Sequence, residues 1–200
     1  MFLSEGDDMK PDISLKELMP LDMTQVKTWL SDIEVNEMWY GCDDDGVPLH
    51  IGYDLTFNDD ECESLYETIQ SDKNRKILSI YNENDAHVGE SQLVYEWPLL
   101  EAQLFLLIGE KNLWHHHLGT AALVKVLDYA FYENNLHRVW VDVPEYNVNA
   151  LQMVDHLGFV MEGHFRGAHR KNGSWYDSSA LGLLNDEYAR RRNRIIETVL

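Results

Sequence analysis

The stretch from Leu104 to Phe159 decides how this chain folds. It contains LFLLIG (residues 104–109), EKNLWHHHLGT (110–120), HRVWVDV (137–143) and YNVNALQMVDHLGF (146–159). The first run is short, apolar and ended by a glycine, as a buried strand is. From Leu118 to Asn134 the apolar residues Ala122, Val126, Tyr129 and Ala130 recur at helical spacing, and Asn134-Asn135 closes the helix. HRVWVDV reads as a second strand. Asn147 is placed to cap a short helix ending at Leu157, and Gly158 stands where a left-handed cap residue belongs. A strand that feeds a glycine-containing loop and then a helix makes a phosphate cradle. The free N–H groups of the first turn point at the anion, and the helix dipole adds to the attraction.

Outward from this block the pattern remains that of a mixed α/β sheet. Ile13 to Leu18 alternate as a first strand. Pro20 to Ser31 read as a helix with Asp22 as its N-cap, and Val26, Trp29 and Leu30 share one face. Glu37 to Phe57 have no period and are rich in acids and aromatics. Asn58 caps a further helix that opens on Asp59 to Glu61, as the dipole prefers. Lys76 to Tyr81, His87 to Glu96 and Ala102 to Ile108 follow as strands. Phe159 to Arg166 and Trp175 to Leu184 form a hairpin over Lys171-Asn172-Gly173. The last fifteen residues are expected to be helical. Residues 1–10 read as a loose tail.

Composition bounds the function. Two hundred residues, 44% of them hydrophobic, suit one globular domain with its own core. Cys42 and Cys62 form no CxxC pair and imply no disulfide framework, so the expected setting is a reducing cytoplasm. No apolar run approaches the ~20 residues of a membrane span, and no signal peptide is visible. The net charge is −19, and residues 1–72 carry nineteen acids against three lysines. That sign argues against nucleic acid and favours cationic partners. Arg190, Arg191, Arg192 and Arg194 lie beside Glu187 and Glu197 on a helical stretch and read as a solvated face.

The combination LLIG, LGTAA, LHRVWVDV, YNVNAL and LGF resembles the GNAT-type acetyltransferases. The hairpin sequence EGHFRGAHRKNGSWYD (162–177) is similar to that of the branch containing ribosomal-protein alanine and spermidine acetyltransferases. The resemblance implies a mostly antiparallel central sheet flanked by helices. It implies one acetyltransferase domain over residues 11–188, with a helical extension over 189–200. It also implies acetyl-CoA as cosubstrate, a small cationic amine or a protein N-terminus as acceptor, and possible homodimers. The alternative is an acyl-CoA-binding or interaction module that kept the fold and lost the chemistry.

Several residues follow from the resemblance. Leu106, Leu107 and Ile108 would offer backbone to pantetheine as an added strand. The family's Q/R-x-x-G-x-G/A loop corresponds to Trp114, His115, His116, His117, Leu118 and Gly119, followed by Thr120. Only its last glycine is kept. His117 replaces the other, which costs energy if that position needs positive φ. Three adjacent histidines at a loop–helix junction diverge and do not make a metal site. One or two of them could instead donate to coenzyme phosphates. Asn147 and Ala150 occupy the family's N-x-x-A positions. The tyrosine thought to protonate the leaving thiolate in relatives is Val154 here, which leaves Tyr146, His156 or water.

Amine acylation also needs a base, and Glu90, Glu96 and Asp142 are the carboxylates on the neighbouring strands. Glu90 and Glu96 are expected on one face with Gln92. Trp39, Tyr40, Asp44 and Tyr53, with Trp175 and Asp177 of the hairpin, are expected to wall the acceptor site. Asp43 to Gly46 lacks the ligand spacing of a calcium loop and reads as a turn.

Overall fold

The structure is a computed structural model that describes residues 11–171 and 173–198. The expected tail over 1–10, Asn172 of the expected turn and residues 199–200 lie outside the described residues. The elements run β1 (Ile13–Glu17), α1 (Pro20–Leu30), α2 (Ile33–Met38), α3 (Asp59–Ser71), β2 (Arg75–Asn82), β3 (His87–Glu96) and β4 (Glu101–Ile108). They continue with α4 (Leu118–Asp128), β5 (Arg138–Pro144), α5 (Val148–His156), β6 (Val160–Lys171), β7 (Ser174–Leu184) and α6 (Asn185–Thr198). The expected strands and helices are all present. α2 is an addition: its six residues, capped by Asp32 through Glu34 N–H at 3.0 Å, are too few to leave a readable period.

The seven strands form one sheet in the order β1-β2-β3-β4-β5-β7-β6. Every neighbouring pair is antiparallel except β4 with β5. Side chains alternate between the two faces, so the sheet builds two cores. Ala102 and Leu104 of β4 and Val139, Val141 and Val143 of β5 pack under α4, α5 and α6. Phe105 and Leu107 pack with α1, α2 and α3 on the opposite face. α6 belongs to the first core, because Tyr188 is fully buried and Ile195 nearly so. The Arg190–Arg194 cluster is drawn largely into pairing. Arg192 grips Asp128 through two bonds of 2.6 Å, Arg191 reaches Gly158 O at 3.3 Å and Arg190 meets Asp186 at 3.0 Å.

Local chemistry sets the boundaries. Asn58 caps α3 as expected, through Asp60 N–H at 3.0 Å and Glu61 N–H at 3.1 Å. Asn147 caps α5 through Ala150 N–H at 3.2 Å, and Gly158 follows with φ +91°. Asp43 accepts from Val47 N–H at 2.8 Å in the turn expected there.

Asp22 is not the N-cap of α1. Pro20 takes the first helical position and makes Met19 the cap, so Asp22 falls one turn in. Its carboxylate accepts from Met19 N–H at 3.0 Å and from Ser79 and Tyr81 hydroxyls at 2.7 Å each. It therefore ties α1 to β2 from a buried position.

His87 lies beside this carboxylate, 3.5 Å from Asp22 Oδ1, with its ring 4.7 Å from that of Trp29. Burial holds its pKa below the usual histidine value, against the pull of Asp22, Glu90 and Glu110. The fold therefore disfavours the charged ring, while the unfolded chain takes up a proton near pH ~6.5. The unfolded state binds more protons below that pH, so the stability this site contributes is present above it and is lost on acidification. Urea unfolding between about pH 7 and 5 is expected to show a shallower loss of stability in His87→Gln than in the parent. An unchanged slope would contradict the lowered pKa of the buried ring.

Candidate active site

The parallel pairing of β4 with β5 stops almost as soon as it starts. Only Glu101, Ala102 and Gln103 face Arg138, Val139 and Trp140. Beyond them β4 stays with β3 while β5 follows β7 as far as Pro144. The edge of β4 from Leu104 to Ile108 has no strand partner on that side among the described residues. Unpaired backbone in a protein interior demands a partner. An extended ligand bearing amides satisfies it by adding as a strand.

A cleft fills the wedge. Its outer part is a cavity of about 550 Å³ lined by Leu106, Leu107, Ile108, Trp114, His115, His117, Leu118, Gly119, Thr120, Asn147 and Ala150. These expected residues therefore come together. His116 is exposed and is not part of this lining. A narrower cavity of about 90 Å³ continues inward past Leu104 and Val141 to Asp142 and His169. Val154 is buried and borders this inner end, so no hydroxyl stands where relatives carry a tyrosine.

The mouth of the cleft is the start of α4. The first backbone bond of the helix runs from Ala121 N–H to His117 O at 2.9 Å. The N–H groups of Leu118, Gly119 and Thr120 precede it and form the orphan first turn. They face a cavity, which is the arrangement that binds phosphates. His117, the helix N-cap, has φ +57°, and His115 has φ +65°. The loop thus keeps a left-handed backbone where the family has glycine and makes histidine carry it. Trp114 fixes the loop from the other side, donating Nε1–H to Ile108 O at 2.8 Å. Lys111 ties the loop to α2 through Asp32 at 2.6 Å and Glu34 at 2.7 Å. Asn147 spends its side-chain oxygen on the α5 cap, which leaves its amide N–H groups for a ligand.

The carboxylates expected as bases separate sharply. Glu90 and Gln92 do share a face, but it is the sealed one under α1 and α3. Glu90 is fully buried and accepts from His50 Nε2 at 2.9 Å, Tyr53 hydroxyl at 2.9 Å and Gln92 Nε2 at 2.8 Å. His50 Nδ1 accepts from Gly52 N–H at 3.1 Å, which leaves Nε2 as the donor to Glu90. Glu90 is thus engaged by three donors and lies outside the cleft lining. The Tyr53 hydroxyl belongs to the same network, and burial beside Glu90 pushes its pKa up. Glu96 is exposed opposite Glu101, at the closed end of the wedge. Tyr146 packs edge-on against Tyr176 at 5.2 Å and lies outside the cleft lining.

Asp142 alone of the carboxylates borders the cleft. It lies on the face of β5 opposite the buried valines, with Oδ2 3.1 Å from His169 Nε2. His169 is an addition to the expected set. It reaches the site because β6 bulges: Phe165 pairs with Ser178 and His169 with Tyr176, so Arg166 to Ala168 stand opposite Asp177 alone. Such bulges re-aim side chains. Gly167 supplies the left-handed turn at φ +58°, and Asp177 accepts its N–H at 2.8 Å. Asp177 therefore shapes the hairpin rather than lining a cavity.

On the other side of His169 a cavity of about 350 Å³ is lined by Tyr40, Cys42, Asp43, Asp44, Leu49, Ala168, Arg170 and Trp175. Tyr40 and His169 belong to both this cavity and the inner cleft. Trp39 borders the outer and inner parts of the cleft. Burial first, then the charge of Asp142, drives the Tyr40 pKa up, so its hydroxyl keeps its proton. Asp44 pairs with Arg170. Among the described residues no group of three histidines, cysteines or acids is placed to hold a metal ion.

The site is thus a half-open sheet with a helix start at its mouth and a second cavity behind it. Residues 15–180 match the family described as the acetyltransferase (GNAT) domain, and the chain belongs to that family. It is 37% identical over 68 residues to probable N-acetyltransferase YjcK of Bacillus subtilis, covering 34% of this chain and 38% of that protein. To spermidine N(1)-acetyltransferase of Vibrio cholerae it is 26% identical over 135 residues, covering 66% of this chain and 76% of the relative. The fold of the V. cholerae spermidine N-acetyltransferase in complex with CoA and spermine is similar, with TM-score 0.75 and 20% identity over 88% of this chain and 98% of that one.

The histidine at the α4 cap can be tested directly. Left-handed backbone costs a non-glycine residue roughly 1–2 kcal/mol, partly offset by the greater freedom of unfolded glycine. His117→Gly is therefore expected to raise the unfolding free energy in urea by about 0.5–1 kcal/mol. A loss of stability would show that the imidazole contributes packing that the backbone strain conceals.

Proposed function

We propose that the chain transfers the acetyl group of acetyl-CoA to a small cationic amine by direct attack on the thioester. The observation that carries this reading is the continuity of three spaces: a phosphate-ready mouth, a strand-edged channel and a second cavity meeting it at His169. In this reading the N–H groups of Leu118, Gly119 and Thr120 hold the pyrophosphate. The free edge of β4 holds pantetheine, and one of its backbone N–H groups faces the oxyanion as the carbonyl is attacked. Asn147 and Ala150 bound the channel opposite β4. Bound acetyl-CoA supplies an activated acyl group whose thiolate leaves without a strong acid, which suits a site where Val154 replaces a phenol.

Tyr40, Trp175, Asp43 and Asp44 favour a cation in the second cavity. The spermidine acetyltransferase relatives support a polyamine-like acceptor. A protein N-terminus is the other acceptor that suits the fold. A cytoplasmic setting, in which the free thiols Cys42 and Cys62 stay reduced, belongs to the same reading.

Thiol release from acetyl-CoA, measured over a panel of diamines, polyamines and peptides, tests the proposal. Turnover is expected with at least one diamine or polyamine. Ala150→Trp, which fills the channel, is expected to weaken acetyl-CoA binding at least about tenfold, or ~1.4 kcal/mol. Tight binding without turnover on any amine would favour the non-enzymatic acyl-CoA-binding module.

A further inference from the structure

His169 stands in the wall that the acyl channel shares with the second cavity, and the proposed reaction has no assigned proton acceptor. Three observations meet there. First, His169 is 6% exposed and its Nε2 lies 3.1 Å from Asp142 Oδ2. A carboxylate accepting from Nε2–H fixes the tautomer and leaves the neutral ring's lone pair on Nδ1. No protein group among the described residues bonds Nδ1. Second, Asp142 Oδ1 is buried without a hydrogen-bond partner. Buried acceptors are nearly always paired, and the exceptions gather at functional sites. Third, a bulge centred on Gly167 and pinned by Asp177 displaces the β6 register and brings His169 to this wall. Tyr40, whose ring centroid is 5.6 Å from that of His169, closes the remaining side.

We infer that His169, oriented by Asp142, is the general base that deprotonates the acceptor ammonium, and that the acceptor enters from the cavity lined by Asp43, Asp44 and Trp175. The inference rests on the acetyl-transfer reading. His169 Nδ1 takes one proton from the ammonium. The freed amine forms the C–N bond at the thioester carbonyl. As the C–S bond breaks, the second proton on nitrogen passes to the departing sulfur and gives the free thiol. The proton on His169 is released to solvent. Asp142 is a positioning residue in this sequence, and its charge stabilises the imidazolium that forms.

A base is needed only by an amine that arrives protonated. The test therefore compares a strongly basic alkylamine with its β-trifluorinated analogue, which is largely neutral at the assay pH. Thiol release is followed for the parent chain, His169→Gln and Asp142→Asn. Acetyl-CoA titration of each variant reports whether the fold and channel are intact. His169→Gln is expected to lose about 10²–10⁴-fold in kcat with the basic amine and much less, within about tenfold, with the fluorinated one. Asp142→Asn donates to Nε2 instead of accepting from it and drives the ring proton onto Nδ1. It should show the same selective loss while binding acetyl-CoA normally.

Equal losses with both amines would mark a structural role and overturn the inference, as would unchanged kcat with the basic amine. No thiol release from the parent chain with any amine would overturn the transfer reading and the dyad's role with it. Turnover of the basic amine in the parent that persists undiminished in both variants would overturn the dyad alone.

Discussion

Three residue pairs hold the two halves of the sheet together, and the rest of the site depends on their being only three. β1 to β4 form one antiparallel half and β5, β7 and β6 the other. They meet where Glu101 to Gln103 run beside Arg138 to Trp140. Each strand then follows its own antiparallel neighbour, and the seam opens. Opening leaves a row of backbone donors and acceptors on β4 without a strand partner, a cost that a folded protein carries only where something else fills it. α5 begins just beyond β5, behind its Asn147 cap, and its Ala150 and Met153 line the opened seam.

The two halves contribute different chemistry. The first is locked by buried carboxylates that are fully engaged. Asp22 joins α1 to β2, and Glu90 joins β3 to the segment carrying His50 and Tyr53. Removing either would strand several buried donors, each costing about 1–3 kcal/mol. This rigid half presents the free β4 edge and the α4 start. The second half carries a carboxylate that is not fully engaged, Asp142, and a bulged strand that brings His169 beside it. The proposed positioning role of Asp142 rests on this difference between a saturated buried acid and an unsatisfied one.

That difference explains what could be read from the residues alone. Strands, long helices and the Asn58 and Asn147 caps follow from local periodicity and local hydrogen bonds, so they were legible. So was the cleft-lining set from Leu106 to Ala150, because a strand, loop and helix in sequence fix one another's positions. Glu90 and Asp142 look alike in sequence; only the sheet register shows that one is sealed under α1 and α3 while the other faces the seam. His169 was hidden by the β6 bulge, where two extra residues on one strand shift its register against β7. Asp22 sits one turn inside α1 because a proline at the first helical position outranks a capping side chain farther in. His117 carried its own warning. A histidine in a glycine position keeps the left-handed backbone and its strain.

A structure with coenzyme A bound tests the central claim most directly. Pantetheine is expected along the edge of β4 between Leu104 and Ile108, with its pyrophosphate at the N–H groups of Leu118 to Thr120 and its sulfur directed toward His169. A coenzyme lying elsewhere, with β4 and β5 closed on each other along that edge, would contradict it.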